Sequence, residues 1–125
     1  MLKLAASIAV ILGLGIGLAH AAESPCQATS GRMLDHLDQG DYNGATTDFN
    51  DRMKAALSAD RLSQLWATTT QKFGARGGRD PARLSQVKGY DVVTTSMHFG
   101  PHLIDARVVC DPDGKVAGFF IKPLD

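Results

Sequence analysis

The hydrophobic pattern of this chain changes period once, at Phe73-Gly74. Before that point apolar residues recur every three or four positions, the spacing of one helix face. After it they alternate, the spacing of a strand with one buried side. Helices gathered first and strands gathered afterwards define an α+β domain rather than a βαβ repeat.

The first apolar stripe is Cys26, Ser30, Met33, Leu34 and Leu37, which predicts a helix over about 27–37. Gln39-Gly40 ends it, with Gly40 suited to the left-handed position after a helix. Asp41 can cap a second helix over about 42–57, with the stripe Ala45, Phe49, Met53, Ala56 and Leu57. Ser58 can cap a third over 59–73, with the stripe Leu62, Leu65, Trp66, Thr69 and Phe73, and Gly74 stops it. Trp66 lies at the centre of that stripe and is expected to pack against the sheet. Residues 74–81 read as a loop by their Gly, Arg and Pro content. Extended segments follow at about 83–87, 92–99, 103–110 and 116–121. Gly100-Pro101 and Asp111-Pro112-Asp113-Gly114 are turn sequences between them. Connections this short make neighbouring strands antiparallel. The expected architecture is three N-terminal helices on a four-stranded antiparallel sheet. Val93, Thr95, Met97 and Phe99 alternate with Val92, Thr94, Ser96 and His98. The last segment is apolar on both faces, Val116 and Phe120 against Ala117, Phe119 and Ile121.

Residues 1–21 are set apart from this pattern. Lys3 precedes an apolar run from Leu4 to Leu18, then Ala19-His20-Ala21, the order of an export signal with a small-x-small cleavage site. The run is short of the roughly 20 apolar residues that span a bilayer, which argues against the alternative of an uncleaved anchor. Cleavage after Ala21, or after Ala22, leaves a single α+β domain over about 22–125, periplasmic or extracellular, with no stable membrane insertion after cleavage. Across the chain 13 basic side chains face 13 acidic ones, and Lys3 leaves with the signal. A balance of this kind gives no general attraction to nucleic acid or to an anionic surface.

The mature chain keeps two cysteines, Cys26 and Cys110. Export would place them where disulfides persist. Cys26 sits on the apolar stripe of its helix. Cys110 shares one face of its extended segment with Ile104, Ala106 and Val108. Both sulfurs therefore point at one core from opposite layers, and a structural bond Cys26–Cys110 is expected. The alternative, a redox-active pair, lacks the C-x-x-C spacing.

The run Leu37-x-x-Gly40-Asp41-Tyr42-x-x-Ala45-x-x-x-Phe49-x-x-x-Met53, then Leu57-Ser58-x-x-x-Leu62-x-x-x-Trp66 and Gly74, resembles the secreted bacterial family called domain of unknown function 3887. So does the ending, Asp111-x-x-Gly114-Lys115-Val116-Ala117-Gly118-Phe119-x-Ile121-x-Pro123. The resemblance implies a cystatin-like, nuclear-transport-factor-2-like α+β fold. It also implies a domain that occurs alone or ahead of a hydrolase, the hydrolase being absent from this chain. These motifs consist of packing and turn residues, so the resemblance transfers no functional residue.

Residue types that carry chemistry are sparse. There is no G-x-S-x-G or H-E-x-x-H, and no glycine-rich loop for phosphate. His98, His102 and Asp105 flank one turn and were they to converge would offer metal ligands, though at no recognised spacing. Asp105 and Asp91 alternate away from the apolar faces, where a buried general base would have to lie. Arg76, Arg79 and Arg83, with Lys72, surround Gly77-Gly78 and form a candidate anion-binding group, the solvated-loop reading standing beside it. No cofactor is expected. The sequence reading is an exported, non-enzymatic binding or assembly module that acts through the exposed sheet face or a pocket on an unknown protein partner or by self-association, with no nucleic-acid role. The alternative is a small-ligand carrier or pocket enzyme of the same fold.

Overall fold

The computed structural model describes residues 24–124; the expected export signal and cleavage site fall outside the described residues. Among the described residues there are four helices, α1 (Pro25–Asp38), α2 (Tyr42–Ala45), α3 (Asp51–Ala56) and α4 (Ala59–Phe73). Five strands follow, β1 (Arg76–Arg79), β2 (Arg83–Val87), β3 (Tyr90–Phe99), β4 (His102–Cys110) and β5 (Val116–Pro123). All pair antiparallel in one sheet. Its order is β1-β3-β4-β5, with β2 also on β3. The α+β class holds, with one more helix and one more strand than the periodicity predicts.

The outer helices follow their local signals. Ser24 caps α1, its Oγ accepting a hydrogen bond from the Gln27 amide while the Ser24 amide donates to Gln27 Oε1. Gly40 has the left-handed φ of 74° expected after it. Helix α4 runs from the Ser58 cap to Gly74, the predicted span.

The predicted second helix is two. Thr46 and Thr47 turn their hydroxyls back on the Asn43 carbonyl, and Asn50 starts α3 by accepting from the Met53 amide. Between them Phe49 forms an isolated parallel bridge with Val116. The Asn50 amide donates to Val116 O at 3.0 Å, and the Val116 amide to Asp48 O at 2.8 Å. Sheet pairing thus takes the Asp48 carbonyl and the Asn50 amide out of the helix, while the amides of Thr46, Thr47 and Phe49 keep only local turn bonds. Ala45, Phe49 and Met53 stay buried, whereas Ala56 is exposed.

The predicted 74–81 loop contains strand β1. Arg-Gly-Gly-Arg has no strand propensity, so its order comes from pairing with β3, Arg76 opposite Phe99 and Arg79 opposite Met97. A Cβ on Gly77 would stand 3.3 Å from the His98 carbonyl oxygen, so the close approach favours glycine. Asp80-Pro81 then separates β1 from β2, both of which lie along the same edge of β3.

One core fills the space between helices and sheet. Leu34, Leu37, Phe49, Leu62, Val93, Met97, Phe99, Ile104 and Val108 are all essentially inaccessible. Trp66 is buried, edge-on to Phe99. Cys26 and Cys110 are bonded, with Cα atoms 5.9 Å apart, joining α1 to β4 across the core. In β5 the register shifts opposite Val109 and Cys110. That extra residue reverses the alternation. Val116 therefore joins Phe119 inside, where simple alternation had grouped it with Phe120, which is exposed.

Candidate functional site

The side of the sheet away from the helices is built by the residues that alternate with the core. Ser85, Val92, Val109 and Gly118 form one row across β2, β3, β4 and β5; Arg83, Thr94, Arg107 and Phe120 form the next. Val87 and Tyr90 pair at the hairpin end. The face is not flat: residues of β2, β3, β4 and β5 line one concavity, as the right-handed twist of adjacent strands allows. Tyr90, Val87, Phe120 and the floor formed by Val92 and Val109 enclose a groove of about 490 Å³. Gly118 completes it: a Cβ there would stand 3.1 Å from Cε2 of Phe120, so the ring lies over the glycine beside Val109. Val87, Tyr90 and Phe120 are 53%, 43% and 57% exposed. Three of the five exposed large apolar side chains among the described residues thus meet in one concavity, while Leu84 and Leu124 lie outside it.

Two cations stand at this groove, Lys88 and Arg107. No carboxylate lines it. Neither cation has an ion-pair or hydrogen-bond partner among the described residues.

The predicted arginine group does not form a single cluster. Arg76 and Arg79 pair with inward-facing positions of β3 and reach α1. Arg76 Nη2 lies 2.8 Å from Asp38 Oδ2, and Arg79 bonds Asp35 and stands 3.6 Å from Asp38. Arg83 is on the opposite face, where its Nη1 donates to Ser96 Oγ at 3.2 Å and its Nη2 stands 3.6 Å from Asp105. Burial pushes the Asp38 carboxyl above its ordinary range in spite of Arg76 and Arg79, with Asp35 adding to the rise. Burial likewise pulls Arg76 down against the pull of Asp38. A second cleft of about 540 Å³ opens here, between Asp38, Tyr42, Trp66, Thr70 and Arg76.

Asp105 lies on the outer face, as its parity requires, yet it is buried. Ser96 Oγ donates to it at 2.6 Å and Arg83 covers it. His98 and His102 diverge. His98 pairs with Asp80 at 3.0 Å, and His102, opposite Phe99, packs its ring edge on Phe73. Sequence reasoning missed the groove. The last segment was legible only as apolar on both faces; that Phe120 points outward and meets Val87 and Tyr90 depends on pairing across β2 to β5, which has no local signal.

The fold and its surface define a small disulfide-clipped α+β domain with a concave, apolar sheet face. A family model described as "Protein of unknown function (DUF3887)" matches residues 30–119, most of the described chain, and the protein belongs to that family. No curated protein and no solved structure matches it.

Proposed function

We propose that this protein is an exported, non-enzymatic binding or assembly module that acts through the outer face of its sheet. The carrying observation is the convergence of exposed Val87, Tyr90 and Phe120 on one groove above a core that is already filled. A domain that hid all its large apolar side chains in the core would have no reason to keep these three in water. The Cys26–Cys110 bond supports export, since such bonds persist in oxidising compartments. The second reading, a pocket carrier or enzyme, is favoured by the cleft at Asp38, where a carboxyl with a raised pKa lies beside Tyr42 and Trp66.

A photo-crosslinking residue placed at position 120 in the producing cell tests the leading reading, with position 84 as control. Leu84 is 44% exposed but pairs with inward-facing Val93, so it samples the other face. Adducts at 120 and none at 84 are expected. An adduct-free position 120 overturns the sheet-face reading.

A further inference from the structure

We infer that the outer groove takes a single-chain amphiphile with a carboxylate head, a long-chain fatty acid, whose head meets Arg107 and whose tail lies along Val92, Val109 and Phe120 toward Tyr90. This rests on the reading of the sheet face as the binding surface, and adds what binds there.

Size comes first. From β2 to β5 is three interstrand steps, roughly 14 Å, and from Tyr90 to Thr94 is roughly 13 Å. The footprint is therefore about 200 Å², against about 800 Å² per partner in a stable protein interface. The volume of about 490 Å³ is instead that of a small-ligand site, for which roughly 300–1,000 Å³ is usual.

Charge gives the head group. Thr94 and Phe120 flank Arg107 directly across β3 and β4, and β4 and β5. Arg107 is exposed and has no carboxylate partner among the described residues. The neighbouring Arg83 is already committed to Asp105 and Ser96. A guanidinium with its fork free, at the end of an apolar trough, matches a carboxylate on an apolar body. Lys88 stands at the opposite rim and adds to the positive field without competing for the same head. A cationic or neutral amphiphile would gain the same apolar contact but leave Arg107 unsatisfied.

The same charges disfavour a second copy of this chain. A two-fold pairing lays one patch on its own copy. Arg107 and Lys88 would then face like charges across a surface with no carboxylate in the groove to separate them.

Dansyl-undecanoic acid is the probe, added to the disulfide-intact protein below its micellar concentration. Palmitate, methyl palmitate and hexadecyltrimethylammonium then compete with it. Enhanced dansyl emission at a single site is expected, with palmitate displacing the probe and the other two at least about tenfold weaker, the loss of one charge-assisted contact. Arg107→Gln should weaken probe binding by a similar factor and bring palmitate and its ester level. Phe120→Ser should weaken both alike. Equal competition by ester and acid, or full probe affinity in Arg107→Gln, overturns the inference. So does an absence of probe binding. If crosslinks at position 120 nevertheless form, the sheet-face reading stands and only the ligand class falls; if neither appears, both fall.

Discussion

Trp66 stands edge-on to Phe99, ring centroids 5.8 Å apart and planes at 73°. This contact fastens α4, the longest helix, to β3, the strand on which β1, β2 and β4 all pair. Trp66 is 5% exposed and Phe99 wholly buried. Trp66→Ala should therefore cost about 3–5 kcal/mol, the loss of a large buried side chain plus the cavity left behind. Urea denaturation measures it. Fluorescence of the unmutated protein gives an independent check, because its single tryptophan should emit as a shielded indole and resist iodide. A cost below about 1 kcal/mol, in the range of surface substitutions, would contradict the packing.

The Cys26–Cys110 bond closes a separation of 84 residues. Chain-entropy reasoning gives such a loop roughly 4–5 kcal/mol, an upper figure. Reduction should lower the melting temperature strongly, since a domain of this size has only a small margin, roughly 5–15 kcal/mol. Protein recovered from the periplasm or medium should show no free thiol after denaturation without reductant. Its intact mass should lack residues 1–21. Two titratable thiols would refute the bond in the native protein, and a mass that retains the leader would refute cleavage.

Legibility in the sequence followed how locally each element is determined. Helix α4 was readable to the residue because Ser58 and Gly74 are its own caps. The disulfide was readable because two independent periodicities aimed both sulfurs at one core. Residues 46–50 were misread because the apolar stripe continues through Phe49, while the backbone bonds that break the helix come from Val116, far away in sequence. Strand β1 was hidden because its glycines and arginines gain order from β3 and from Asp35 and Asp38 on α1. The inward placement of Val116 depended on a bulge, which shifts parity without changing composition.

Asp111 joins the β4–β5 turn to the helical layer. Its Oδ1 accepts from the amides of Asp113 and Lys115, and its Oδ2 from Asn50 Nδ2 at 3.1 Å. Slight burial works upward on its pKa, but the Asn50 amide, the two backbone donors and Lys115 outweigh it and hold the carboxyl below its ordinary value of 3.8. A depressed folded-state pKa means stability that is fully present above the unfolded value and lost as pH falls through the folded one. Asp38 has the opposite sign: its raised value means that stability rises as pH falls toward 3.8. Asp111→Asn should thus be less stable than the parent at neutral pH, by about 1 kcal/mol for the hydrogen bonds weakened. The gap should narrow only below pH 3.8, where the parent carboxylate takes up its proton. Urea midpoints of both proteins from pH 7 downward measure this; a gap that does not change with acidification would remove Asp111 as the source.

Phe119 and Phe120 are consecutive, and the sheet separates them. Phe119 is 7% exposed in the core, and Phe120 is 57% exposed in the groove. Phe119→Ser should cost about 3–5 kcal/mol, as large-to-small core changes do. Phe120→Ser should cost far less, about 1 kcal/mol at most, because over half of the ring is already in water and the rest lies on Gly118 rather than in the core. On the proposed reading, this exposed ring over Gly118 is the side chain that meets the ligand. The two variants therefore separate folding from binding. Phe119→Ser should fail in thermal unfolding, while Phe120→Ser should unfold like the parent and lose only what the groove holds. If Phe120→Ser destabilised the isolated domain as much as Phe119→Ser, the ring would belong to the core, and the groove would lose its claim to a ligand.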